Sequence, residues 1–354
     1  MLSTSDPQTL IEHSGTLGRI RLNRPKALNS LTLTMVRDIE KALDAFEADP
    51  EVTAVLLTGE GERGLCAGGD IRMIYDGGKA GSPEPVDFWR EEYRLNARLN
   101  RLEKPFVAFM DGIVMGGGVG VSVYASHRIV TERTRFAMPE TGIGFFPDVG
   151  ASWFLTRRKD ELGTYAALTG EQLAAGDAIA LGLADRYVPS ERLPELAEAL
   201  SRRPDVSATI AAFAQTPPPA SVAAQQHLID RLFAFDTIED ILKALAQDGS
   251  AFAERTLGVL RTKSPLSLKV TLRLLRLGRQ EASLEACLER EFSAIAAVLR
   301  SHDFYEGVRA AVVDKDRNPQ WRPAHLEDVT AEDVAAFFKP SAEPLFAGIA
   351  GKGE

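Results

Sequence analysis

Two carboxylates, Glu140 and Asp148, sit in a stretch crowded with phenylalanine, methionine, isoleucine, glycine and proline: Phe136-Ala-Met-Pro-Glu-Thr-Gly-Ile-Gly-Phe-Phe-Pro-Asp-Val-Gly150. Burial disfavours the charged form of a carboxyl, so its pKa rises in apolar surroundings. Proteins tune acids and bases for work near neutral pH in this way. Glycine and proline both disfavour a helix here. A helix would hold the two acids about 12 Å apart along its axis, whereas a folded-back loop brings them together. A plain turn whose acids cap backbone amides is the alternative, and these residues alone do not decide between the two.

Two glycine-rich loops lie upstream, Ala67-Gly68-Gly69-Asp70 and Gly116-Gly117-Gly118, each after an apolar run with strand character. Glycine clusters let a backbone approach a ligand closely and point N–H groups at it. One N–H from each loop could stabilise a developing oxyanion or enolate. Either loop taken alone also fits a tight strand-to-helix turn. Neither is a dinucleotide fingerprint, since the sixth position counted from Gly116 is Val121, and no phosphate-cradling Gly-x-x-x-x-Gly-Lys motif occurs. The nearest approach to a nucleophile elbow, Gly120-Val-Ser-Val-Tyr124, ends in the wrong residue. His13, His127, His227, His302 and His325 show no metal-ligand spacing, and no metal is expected. Cys66 has no basic partner nearby in sequence and reads as a small buried packing residue.

The elements that must position these groups alternate in the first half. Residues 18–22 alternate with period two, and 52–58, 106–110 and 128–131 are apolar runs of strand type. Between them, Met35, Ile39, Leu43 and Phe46 recur at helical spacing over 32–48, and a charged helix is expected over 87–102. Such alternation predicts an α/β core with a largely parallel sheet. After Phe154 the pattern is mainly helical, with helices expected near 237–247, 250–261, 266–277, 283–300, 303–313 and 331–338. Thr216-Pro-Pro-Pro-Ala220 interrupts it as a linker or irregular excursion. The sequence thus divides into a core over 1–200, a helical region over 201–340 and a flexible tail over 341–354.

The 354-residue chain is long enough for a large core. Its net charge of -9 disfavours a nucleic-acid partner, though not a local basic groove for an anionic ligand. No apolar run is long enough for a membrane span. Cys66 and Cys287 form no disulfide framework or zinc pattern. The first seven residues carry no targeting pattern, so a cytoplasmic location is expected.

In order along the chain stand Asn23-Arg-Pro-Lys-Ala-Leu-Asn29, Cys66-Ala-Gly-Gly-Asp-Ile71, Gly112 with Met115-Gly-Gly-Gly-Val-Gly120, and Met138-Pro-Glu140. On these motifs the chain resembles the crotonase (enoyl-CoA hydratase/isomerase) superfamily. The resemblance implies a spiral of ββα turns that binds acyl-CoA thioesters, followed here by the helical C-terminal region. It implies an oxyanion hole from the Gly69 and Gly117 N–H groups. It also implies coenzyme A binding at Arg24, Lys26, Asp70, Ile71 and Arg72. A hydratase of the superfamily carries a first catalytic glutamate just after the triple glycine, where this chain has Gly120. The chain keeps the second acid, Glu140, and adds Asp148.

With Phe88-Trp-Arg-Glu-Glu-Tyr93, Gln247-Asp-Gly-Ser250, Ser264-Pro-Leu-Ser-Leu-Lys269, His302-Asp-Phe-Tyr-Glu-Gly-Val-Arg309, Asp314-Lys-Asp316 and Trp321, the chain is similar to the superfamily's thioester-hydrolase branch. That similarity implies hydrolysis of a short 3-hydroxyacyl-CoA. Glu140 would attack the carbonyl or activate water, Asp148 would pair with it, and Glu92 would lie near the substrate hydroxyl. By itself Glu92 reads as a solvated helix acid. Coenzyme A is part of the substrate, and no cofactor is expected. The rivals are an enoyl-CoA hydratase or double-bond isomerase on the same fold, and a non-catalytic CoA-binding protein. A homo-oligomer is left open.

Overall fold

The computed structural model describes residues 6–348. They form two compact units that interleave along the chain. The first comprises the described residues to Asp70, Arg98–Ala137 and Gln172–Ala224; the second comprises Ile71–Ala97, Met138–Glu171 and the residues from Gln225 on.

The first unit carries the strands β1 (Thr9–Ser14), β2 (Leu17–Leu22), β3 (Ala54–Gly59), β4 (Gly64–Cys66), β5 (Phe106–Met110), β6 (Ile113–Met115), β7 (His127–Val130), β8 (Arg135–Ala137) and β9 (Arg186–Tyr187). One sheet runs β1-β2-β3-β5-β7-β9, antiparallel only between β1 and β2. A second, parallel sheet runs β4-β6-β8. The expected mixed α/β architecture with a largely parallel sheet is therefore present. β5 is buried along its whole length, as parallel strands covered on both faces are. On one face Leu17, Leu56, Phe109 and Ile129 pack against the helices Leu193–Leu200 and Val206–Phe213 through Leu196, Leu200, Ile210 and Phe213. Each such side chain contributes roughly 1.5–3 kcal/mol on burial.

The helix Leu33–Ala48 forms where the sequence places it. Its apolar stripe, Met35, Ile39, Leu43 and Phe46, is buried, and the Thr32 hydroxyl caps it by accepting from Met35 N at 3.2 Å. β1 was not foreseen: three of its six residues are exposed, so no alternation marks it. The 216–220 break is irregular but held in place. A Cβ on Gly176 would lie 2.2 Å from Pro218 O, and Asp177 accepts from Val222 N at 2.8 Å.

The second unit is helical. Its longer helices include Glu84–Asn100, whose residues to Ala97 belong here, Pro265–Gly278 and Leu284–Val298. The helices expected from 237 to 313 all form, the last ending in a π-turn over Arg309–Val313. The helix Ile71–Lys79 was missed, because Gly77 and Gly78 weaken its helical signal. The supposed tail is tied down as far as it is described: Leu345 is fully buried and its N–H donates to Glu289, while Arg90 pairs with Glu343 at 3.0 Å. Residues 349–354 lie outside the described residues. Among the described residues no helix is long and apolar enough to cross a membrane.

Candidate active site

Pro139 ends the extended run from β8 and the chain turns into a short 3-10 helix, Glu140–Ile143. Gly144 closes this turn at φ 71, and a Cβ there would lie 2.0 Å from Asp303 O, so only glycine fits. Phe145 stacks on Trp89 at 5.6 Å and lies 6.0 Å from Phe304, which anchors the loop between two helices of its unit. Val149, β-branched and fully buried, is held at φ 51 beside Asp148. Such backbone is strained, by about 1–3 kcal/mol, and is retained where the surroundings over-determine it.

The loop buries both acids, Glu140 at 6% and Asp148 at 5% exposure, and Glu92 joins them at 2%. Glu92 is thus a buried acid and not a solvated one. Burial is the main cause raising all three carboxyls. The Asp148 charge further raises Glu92 and Glu140, and Glu140 in turn raises Glu92. Lys263 pulls Glu140 back towards the charged form. Asp148 is pushed up to about 7, although the Tyr93 hydroxyl donates to its Oδ2 at 2.7 Å and favours the charged form. Glu92 Oε1 and Glu140 Oε2 are buried and find no hydrogen-bond partner among the described residues. One turn beyond Glu92, both amide atoms of the fully buried Asn96 are also unpartnered. Buried polar atoms are normally satisfied, so these exceptions mark where a polar ligand group would be stabilised.

Sequence reading missed Tyr93, Asn96 and Glu291. Glu291 lies in the buried stripe of helix Leu284–Val298, between Leu288 and Phe292. Its carboxyl accepts from Gly150 N at 2.7 Å, Ser152 N at 3.0 Å and Ser152 Oγ at 2.5 Å, which fixes the backbone just after Asp148. Burial pushes it up to about 8 despite these donors. An acid inside an apolar helical stripe was the available signal.

The first unit holds the glycine loops. β4 and β6 are parallel neighbours, so the loops that follow them emerge side by side. A Cβ on Gly68 would lie 3.8 Å from Gly117 N. Leu31 bridges to the first loop through its N–H to Gly68 O and its O to Asp70 N, both at 2.8 Å. That pattern leaves Gly69 N–H pointing away. Neither Gly69 N–H nor Gly117 N–H has a partner among the described residues. A Cβ on Gly118 would lie 2.3 Å from the Cys66 carbonyl oxygen, backbone against backbone. Gly118→Ala is therefore expected to lower unfolding free energy by about 2 kcal/mol through overpacking. Gly258→Ala, in the helix Ala251–Leu260 with nothing within 4 Å, should be neutral or slightly stabilising. Denaturant melts of the two variants test this contrast.

Arg24 pairs with Asp70 at 2.8 Å and donates to Ser30 O, and Lys26 sits exposed in the turn Pro25–Ala27. Ile71 opens the helix Ile71–Lys79, where Arg72 pairs with Asp76 at 2.7 Å. Cys66 is fully buried, as its packing role requires. Among the described residues no group of three or more histidines, cysteines or acids is arranged to hold a metal ion.

Residues 17–338 match the family described as enoyl-CoA hydratase/isomerase. The chain is 43% identical over 346 residues to the mitochondrial 3-hydroxyisobutyryl-CoA hydrolase of Rattus norvegicus, covering 95% of this chain and 90% of that one. Among solved structures, a carnitinyl-CoA dehydratase from Mycobacterium thermoresistibile superposes with a TM-score of 0.93 at 46% identity, covering 97% of this chain and 100% of that one. An enoyl-CoA hydratase from Rhodobacter sphaeroides superposes with a TM-score of 0.88 at 41% identity, covering 94% and 98%. The expected cytoplasmic location is overturned: the rat protein and others similar to it are named mitochondrial. The expectation rested on a missing targeting pattern, and an absence does not report a compartment.

Proposed function

This chain belongs to the enoyl-CoA hydratase/isomerase family, and we infer that it hydrolyses 3-hydroxyisobutyryl-CoA to 3-hydroxyisobutyrate and coenzyme A, a step of valine breakdown. It is an acyl-CoA thioester hydrolase. The observation that carries the reading at the site is the buried cluster of Glu92, Glu140 and Asp148, with carboxyl oxygens left for a ligand.

In the proposed mechanism the Gly69 and Gly117 N–H groups take the thioester oxygen as it gains charge. Loss of one such donor typically costs about 3 kcal/mol in the barrier. Glu140 either takes a proton from water, whose oxygen then attacks the thioester carbon, or attacks that carbon itself to give an anhydride that water cleaves. The C–S bond breaks, and a protonated carboxyl of the cluster supplies the leaving thiolate with its proton. Asp148, pushed up to about 7, holds a proton in a useful range for that step. Glu92 accepts the substrate hydroxyl with its unpartnered Oε1. Arg24, Lys26, Asp70, Ile71 and Arg72 are proposed to bind the coenzyme A portion.

The two solved structures are titled dehydratase and hydratase. Against carrying either activity over stands Gly120, which offers no acid where hydration would use one. Free-thiol release should be read beside loss of enoyl absorbance, with 3-hydroxyisobutyryl-CoA, isobutyryl-CoA and crotonyl-CoA supplied separately. Thiol release from the 3-hydroxyacyl substrate should exceed that from isobutyryl-CoA at least about 100-fold in kcat/KM, since a site built to bind a hydroxyl rejects the analogue lacking it. Loss of enoyl absorbance without thiol release would replace this reading with hydration.

A further inference from the structure

Tyr93 lies one residue beyond Glu92 on the helix Glu84–Asn100 and is fully buried. Its ring packs edge-on to Phe292 at 6.4 Å, which fixes the direction of the hydroxyl. That hydroxyl donates to Asp148 Oδ2 at 2.7 Å across 55 residues of sequence. On the other side, Glu291 holds the backbone of Gly150 and Ser152. Asp148 is thus gripped at one oxygen and at the chain that follows it, which restricts the orientation of its other oxygen.

We propose that Tyr93 is a positioning residue for the hydrolysis: it occupies one Asp148 oxygen, aims the other at the reacting groups, and decides which carboxyl of the cluster carries the negative charge. This rests on the thioester-hydrolase reading of the site. The groups that bear on Asp148 are Glu92 and Tyr93 from one helix, Glu140 from its own loop and Glu291 from another helix, with Lys263 acting on Glu140. The Asp148 charge disfavours charge on Glu92, Glu140 and Glu291, and Tyr93 is the side chain seen donating to Asp148. Because a donor to the charged form favours ionisation, removing it makes the cluster's first ionisation harder.

The test compares wild type, Tyr93→Phe, and the protein carrying 3-fluorotyrosine at position 93. Two readouts are followed against pH: kcat/KM for thiol release from 3-hydroxyisobutyryl-CoA, and the infrared C=O band of protonated buried carboxyls, assigned with Asp148→Asn. In Tyr93→Phe the acid limb and the infrared titration should both move up by about one pH unit, with KM changed less than about three-fold. The fluorinated phenol is a stronger donor and should move both the other way while keeping the fold. A uniform drop in rate with an unmoved profile would reduce Tyr93 to packing and overturn the proposal, as would shifts of the same sign in the two variants. If wild type released no thiol while the infrared shifts appeared, the hydrolase reading would fail and the grip of Tyr93 on Asp148 would stand.

Discussion

Glu140→Gln is expected to lower kcat for 3-hydroxyisobutyryl-CoA hydrolysis by about 1,000-fold while leaving the Kd for the substrate within about three-fold. Glutamine keeps the size of the side chain and removes the basic oxygen. It also removes a group held well above the carboxylate range, so the fold is relieved of a buried ionisable acid. Both chemical routes require Glu140: one needs its oxygen as a base, the other as a nucleophile. Stopped-flow thiol release gives kcat, and titration calorimetry with the inactive variant gives Kd. A kcat within ten-fold of wild type would remove Glu140 from the centre of the mechanism. Label found in the Glu140 carboxyl after turnover of wild type in oxygen-labelled water establishes the nucleophilic route, since the anhydride cleaved at the Glu140 carbonyl is the step that puts it there.

How far such a site can be read from sequence depends on whether its parts are local. The burial of Glu140 and Asp148 is legible because their apolar, glycine-rich and proline-rich surroundings lie within the same stretch of chain. The helix Leu33–Ala48 and β5 are legible because period and burial coincide. Tyr93 and Glu291 are not, because their partners stand 55 and 141 residues away. Nothing within a window of helical length states that contact. Glu92 shows the same limit from the opposite side. Its neighbours Arg90, Glu91 and Arg94 make it look like a solvated acid, and only the packing of Phe88, Trp89 and Tyr93 reveals the buried face it shares. The two units elude a linear reading for the same reason, since the chain passes between them repeatedly. Gly144 and Gly118 are each required by geometry: at each, a carbonyl oxygen occupies the space a Cβ would need.

Asp148→Asn is expected to make the protein more stable and less active, with a pH dependence that identifies the cause. The ordinary Asp value of 3.8 is raised to about 7 in the folded protein. Between these values the native state binds more protons than the unfolded state, so stability falls as pH rises through the window. Above 7 the destabilisation is complete, on the order of 4 kcal/mol from about 1.36 kcal/mol per pH unit. At pH 5 less than about half of it has developed. Asparagine carries no charge at any of these pH values and still offers an oxygen to the Tyr93 hydroxyl. The loss of the Asp148 charge also eases Glu92 and Glu140, which it raises in the wild type. Thermal melts should therefore show Asp148→Asn above wild type by a few degrees at pH 8, with the gap shrinking towards pH 5. Thiol release should fall about 100-fold, because the proton that Asp148 contributes is gone. A variant less stable than wild type at pH 8 would mean that the Asp148 carboxylate stabilises the fold, and the site would then be a structural cluster and not one strained for chemistry.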